Sequence, residues 1–182
     1  MIIGPAGIRD IRSKEAFRKK FSDEINGEFT LRHTHDRVFN KLRLLIERNG
    51  IHFTFSESDT KPLNIQMNIT DMKTNFWFEI YEIDFISRLT EIFVSSVIKT
   101  SNKQFNRNYQ IRSNDKTRMK LIMDERIVNF MNSEQILLIR GKANSMSFSI
   151  NMTVNREINS YASLKIVYEF CDQFVYNIQK SM

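Results

Sequence analysis

The sequence predicts an α+β fold: a mainly antiparallel sheet with helices on one face, built from two pseudo-repeated β-α-β-β-α units and an added N-terminal helix. Three observations carry this. The order strand, amphipathic helix, paired strands, apolar helix is read twice, over residues 28–99 and again over 106–182. Leu63, Ile65, Met67 and Ile69 alternate with Asn64, Gln66 and Asn68, and Phe148, Ile150 and Met152 alternate with Ser147, Ser149 and Asn151. That period of two belongs to strands with one wet face. Finally, Tyr168, Cys171, Phe174, Val175 and Ile178 follow helical spacing within 161–178. A chain of 182 residues is long enough to bury a sizeable core, as one compact domain or as two related lobes around a shared interior.

The first element is expected at 13–26. Ser13 offers an N-cap, Phe17 and Phe21 fall four apart with Ile25 following, and Asn26-Gly27 supplies a stop. Lys14, Arg18, Lys19 and Lys20 lie on the other side, which places these cations in water or against an anionic lipid surface or nucleic acid.

In the first unit, Phe29 and Leu31 alternate with Thr30 and Arg32 over strand 28–33. Asp36 is placed as the cap of a helix over 36–48, with Val38, Leu42, Leu45 and Ile46 as its apolar face and Asn49-Gly50 as its end. Strands 51–55 and 63–69 flank a polar turn at 56–62, and an apolar helix closes the unit over 83–98. The second unit reads strand 108–112, helix 115–131, strands 135–140 and 146–154, and helix 161–178.

Composition removes several function classes. Hydrophobic residues make up 41% and aromatic residues 12% of the chain, which excludes a disordered chain. No run approaches the ~20 apolar residues of a membrane-spanning helix, and the N-terminus lacks the charged and apolar regions of a signal peptide. One cysteine, Cys171, cannot pair within the chain, and its place in an apolar helix pattern makes it a small buried hydrophobe. These features predict a cytoplasmic protein. There is no phosphate loop, nucleophile elbow, HExxH or dinucleotide fingerprint, so neither a cofactor nor catalysis is expected.

Two sets of residues are candidates for chemistry. His33, His35 and His52 hold all the imidazoles of the chain within the first unit. Two histidines at i and i+2 on a strand share a face, and a third from a neighbouring strand would complete a catalytic metal site for a hydrolase. The segment departs from the His-x-His-x-Asp-His pattern of metallo-hydrolases at Arg37 and Val38. The second set is electrostatic. The chain carries +6 overall, and residues 99–120 hold seven cations against the one acid Asp115. Lys99, Lys103, Phe105, Arg107, Tyr109 and Arg112 interleave cations with rings, the arrangement that holds single-stranded nucleic acid by backbone contact and stacking. As a solvated connector, the same segment would cap the core with Phe105 and Tyr109.

The segment Tyr109-Gln-Ile-Arg-Ser-Asn-Asp115, the helix from Met119, the hairpin up to Val154 and the terminal apolar helix resemble the soluble part of an uncharacterised bacterial family. Its members carry paired membrane helices near the N-terminus. The resemblance rests on element order over about seventy residues. It implies an α+β domain at the cytoplasmic face of a membrane and no particular chemistry. The expected function is therefore a non-enzymatic protein-binding or scaffolding domain, reaching a protein partner through a sheet edge or an exposed aromatic such as Trp77. Nucleic-acid binding by 99–120, the histidine hydrolase and a peripheral membrane contact are the alternatives.

Overall fold

The computed structural model describes residues 12–33, 40–83, 97–134 and 136–182. A 3-10 turn, Arg12–Lys14, leads into α1 (Glu15–Glu24). Strands β1 (Glu28–His33), β2 (Asn40–Arg48), β3 (Ile51–Ser58), β4 (Lys61–Thr70), β5 (Trp77–Glu82) and β6 (Val97–Ile98) follow. After them come α2 (Lys103–Asn108), β7 (Tyr109–Ser113), α3 (Lys116–Ile122), α4 (Glu125–Ser133), β8 (Ile136–Ala143), β9 (Ser147–Val154) and α5 (Tyr161–Ser181).

The nine strands form one sheet in the order β1-β2-β3-β4-β9-β8-β5-β7-β6, with every pairing antiparallel. The mainly antiparallel α+β fold is thus the one expected. Its assembly differs from two units side by side. Strand β9 pairs with β4, and β5 from the first half lies between β8 and β7 of the second.

The largest correction concerns residues 36–48, expected as a helix. Their described part, Asn40–Arg48, is strand β2. Two periods coexist there: Val38, Leu42, Leu45 and Ile46 fit a helix, while Leu42, Leu44 and Ile46 alternate with Lys41, Arg43 and Glu47. The turn decides between them. Asn49 and Gly50 take φ values of 52° and 73°, the positive pair of a type I′ hairpin. They fold β2 back along β3, with Arg48 opposite Ile51, instead of ending a helix. Described residues 28–83 therefore hold five strands and no helix. Asp36 and Val38 lie outside the described residues.

The helix expected over 83–98 falls mostly outside the described residues too, and its end is strand β6, paired with β7. The polar turn expected at 56–62 is shorter, because β3 runs to Ser58 and β4 begins at Lys61. In the second half the helix over 115–131 is broken in two. The Asp124 carboxylate accepts from the Ile127 amide at 2.9 Å and so starts α4 afresh. The Asp115 carboxylate accepts from Arg118 N at 2.9 Å and caps α3 in the same way.

Residues directly opposite in register share a face of the sheet, and that alternation separates the two sides. Leu44, Phe53, Ile65, Met152, Ile139, Ile80 and Ile111 point to the buried side. The helices close over it. Tyr168 of α5 packs edge-on against Phe53 of β3 at 5.6 Å, and Phe174 reaches Phe78 of β5 at 5.8 Å, so one helix crosses the sheet. Phe21 of α1 meets Tyr168 at 5.7 Å, and Phe130 of α4 stacks on Phe170 at 3.9 Å. Ring pairs of this kind add about 0.5–1.5 kcal/mol each beyond their burial. No described helix lies over the other side.

Candidate functional site

The side of the sheet over which no described helix lies, called here the uncovered side, presents three rows of side chains, read directly from the register. One runs Arg43, Ser56, Asn64, Thr153, Leu138 and Tyr81 from β2 to β5. The next runs Leu45, Thr54, Gln66, Asn151, Arg140 and Glu79, and continues to Arg112 on β7. The third holds Glu47, His52, Asn68, Ser149, Lys142 and Trp77. The middle of this face is uncharged, an amide and hydroxyl strip on β4 and β9. Its flanks carry Arg43 and Lys41 on one side and Arg140, Lys142 and Arg112 on the other.

The second flank has the more definite shape. A cleft of about 540 Å³ is lined there by Asn64, Trp77, Glu79, Arg140, Lys142 and Asn151, among others. Trp77, the only tryptophan of the chain, is 43% exposed. Glu79 accepts from Arg140 Nε at 2.9 Å, and both side chains remain accessible. On the other side of Glu79, the Arg112 guanidinium lies 5.5 Å from the centre of the Tyr81 ring, a cation–π contact. The Arg112 Nε atom is buried and has no hydrogen-bond partner among the described residues. Three cations and one carboxylate thus share this corner of the sheet with an exposed indole.

The basic segment read from sequence is dispersed by the fold. Phe105 and Tyr109 are buried and stack on one another at 5.0 Å. The Tyr109 hydroxyl donates to the Met131 carbonyl at 3.0 Å. Neither ring is a platform for a base; they seal the core, as the connector reading had it. Burial, with the Glu82 charge adding to it, raises the Tyr109 pKa to about 12. Lys103 and Arg107 sit exposed on α2, Lys99 is exposed just past β6, and Arg112 alone of the set belongs to the uncovered sheet face.

The histidines are not brought together either. His33 ends β1 opposite Asn40, whereas His52 lies opposite Glu47, seven residues further along β2. At ~3.3 Å per residue this separates them by about 23 Å along the strand, far beyond shared coordination. His33 Nδ1 is 2.6 Å from Asn40 Oδ1, and Asn40 donates through its amide N to Asp59 at 2.6 Å. His52 Nδ1 lies 3.7 Å from Glu47. His35 lies outside the described residues. Among the described residues no group of three His, Cys, Asp or Glu side chains could hold a metal ion.

One cluster escaped the sequence reading. Lys14 and Arg18, expected on the wet side of the first helix, are each 1% exposed. Lys14 Nζ lies 2.8 Å from Glu57 Oε1 and 2.9 Å from Glu157 Oε1, and Arg18 Nη2 meets the other oxygen of Glu57. Ser13 does not cap the helix; it lies in the preceding 3-10 turn, and Lys14 at the cap position makes no capping bond. A signal was present: Glu57 falls in phase with Ile51, Phe53 and Phe55, so an acid sits at an inward position and requires buried cations. Burial lowers the Arg18 pKa, while Glu57 opposes the change. The Cys171 thiol is buried as expected, and burial, aided by the Asp172 charge, pushes its pKa well up.

No family model matches the chain, and no curated protein matches it. Among solved structures it is similar to the crystal structure of the mycobacterial trehalose monomycolate transport factor A, TtfA. The TM-score is 0.56 at 11% identity, over 93% of this chain and 96% of that one. At this identity the likeness is one of fold, and it spans nearly the whole of both chains. Among the described residues no helix is long and apolar enough to cross a membrane.

Proposed function

We propose that this chain is a non-enzymatic protein-binding domain that receives its partner on the uncovered face of the sheet. The observation that carries this reading is the corner of β5 and β8, where an exposed Trp77 stands beside Arg140 and Lys142. Tryptophan and arginine are the side chains that most often anchor protein interfaces. An indole left 43% exposed costs apolar hydration that a partner would relieve. The amide and hydroxyl strip on β4 and β9 adds donors and acceptors that match a peptide backbone. TtfA is described as a transport factor, which bears on this chain through fold analogy alone. The single buried thiol fits a reducing compartment, so we place the domain in the cytoplasm. The resemblance of residues 108–178 to the soluble part of a bacterial family with N-terminal membrane helices supports a place at the cytoplasmic face of a membrane.

Affinity capture from native lysate, with the intact chain and with a Trp77→Ala, Arg140→Glu variant, tests this. A partner retained by the intact chain and lost by the variant supports the reading. A partner retained by both, but lost on changing Lys103 and Arg107 of α2, would move the interface away from the sheet. Absence of any retained protein counts against a protein-binding role.

A further inference from the structure

We infer that the Trp77 corner takes an acidic, extended peptide segment carrying an apolar side chain, an assignment that rests on the protein-binding reading and narrows it. Charge complementarity is the first argument. Arg140 of β8 and Arg112 of β7 lie opposite Glu79 in register and Lys142 lies opposite Trp77, so three cations share this corner with one acid. An arriving carboxylate supplies a charge-assisted acceptor to the exposed Arg140 and Lys142.

The second argument is the shape and chemistry of the floor. The cleft of about 540 Å³ continues from Trp77 onto Asn64, Asn151 and Thr153. Asn64, Thr153 and Asn151 lie on adjacent strands about 4.8 Å apart and offer donors and acceptors to the backbone of an extended chain. Asn64 Nδ2 lies 3.5 Å from Thr153 Oγ1, at the limit of a hydrogen bond, so these groups can exchange that contact for a stronger one. Trp77 at the end of the strip offers a flat apolar surface for one hydrophobic side chain of the peptide. Acidic motifs bound by arginine clusters are an established recognition mode of protein domains.

A polynucleotide fits this corner less well. Stacking along a single strand needs successive accessible rings. Here Tyr81 is already covered by Arg112, and Phe105 and Tyr109 are buried on one another. One exposed indole remains, which suits a single apolar anchor and not a run of bases.

A random 12-residue phage-displayed library, panned on the intact chain and on the Arg112→Gln, Arg140→Gln double variant, tests the assignment, with emission from the single Trp77 as readout. Arg140 is exposed and Arg112 half-buried, so circular dichroism of the double variant is compared with that of the intact chain. Supporting results are enrichment of Asp/Glu-rich peptides by the intact chain, a shift of Trp77 emission on binding, and affinity at least tenfold weaker for the double variant. Tight binding of an oligo-dT strand that shifts Trp77 emission where acidic peptides do not would overturn it in favour of nucleic acid. Enrichment of neutral or basic peptides, or no difference between the two proteins, also overturns it. In those last cases the lysate capture can still succeed, so the acidic-segment assignment and the protein-binding reading fail separately.

Discussion

Glu57 of β3 and Lys14 at the start of α1 meet at 2.8 Å with both side chains almost wholly withdrawn from solvent, the lysine 1% and the glutamate 0% exposed. Arg18, one helical turn on, binds the same carboxylate. A carboxylate on the inward side of a strand meets two cations 39 and 43 residues earlier in the chain, and Glu157 on Lys14 supplies the second negative charge. This fixes where α1 docks on the sheet.

Removing one partner of such a group leaves charge buried without compensation. Glu57→Gln is expected to destabilise the fold by about 3–5 kcal/mol, measured by urea unfolding. Replacing Lys14, Arg18 and Glu57 together by Met, Met and Leu is expected to cost much less, because the one charge left behind, Glu157, is 44% exposed. A single-variant loss below about 1 kcal/mol would mean that water reaches the cluster.

Gly141 on β8 lies directly opposite Phe78 on β5. A Cβ there would stand 2.1 Å from the Phe78 ring, which is itself held by Phe76, Phe148 and Phe174. Gly141→Ala is expected to lower stability by about 1–3 kcal/mol through overpacking. Pairing it with Phe78→Leu should recover part of that loss in thermal melts. A fully additive pair would show that the ring is not what the methyl strikes.

Tyr109 gives a pH dependence at the alkaline end. Its folded pKa lies near 12, above its ordinary value of 10.0, because burial disfavours the phenolate. The unfolded chain therefore ionises first. Stability from this residue is complete below pH 10, falls as pH rises, and is lost by about pH 12. Absorbance at 295 nm should show tyrosine titrating late, and Tyr109→Phe should reduce that late amplitude, leaving Tyr161, whose pKa is raised by its hydrogen bond to Glu24. An unchanged late amplitude in the variant would assign it elsewhere.

Cys171 is buried within α5, and its thiol is held protonated well above the ordinary range. Modification by a disulfide reagent such as DTNB is expected to wait for unfolding and to track its rate across urea concentrations. Rapid modification in native buffer would show that α5 opens locally.

How much was legible in the chain follows from which interactions are local. Strand β4 and helix α5 were readable because Leu63 to Ile69 and Tyr168 to Ile178 repeat at one period with no competitor. Strand β2 was not, because Leu45 completes a helical pattern with Leu42 and Ile46 while facing the uncovered side of a sheet. The positive φ values of Asn49 and Gly50 serve a hairpin as readily as a helix end, and only pairing with β3 selects the first. The candidate site divides in the same way. Trp77 was readable as an exposed aromatic, but not its neighbours, since Arg140 and Lys142 come from β8, some sixty residues on in the chain.

By itself, then, the amino-acid sequence determined the α+β class, the wet and dry faces of individual strands and the buried thiol, since each depends on periodicity within a few residues. Only the tertiary structure decided that β5 lies between β8 and β7, that Lys14 and Arg18 are buried, and that Phe105 and Tyr109 are sealed in the core. Those outcomes depend on partners far apart in the chain. Burying a charge or a ring is favourable or costly according to what faces it, and register alone specifies that.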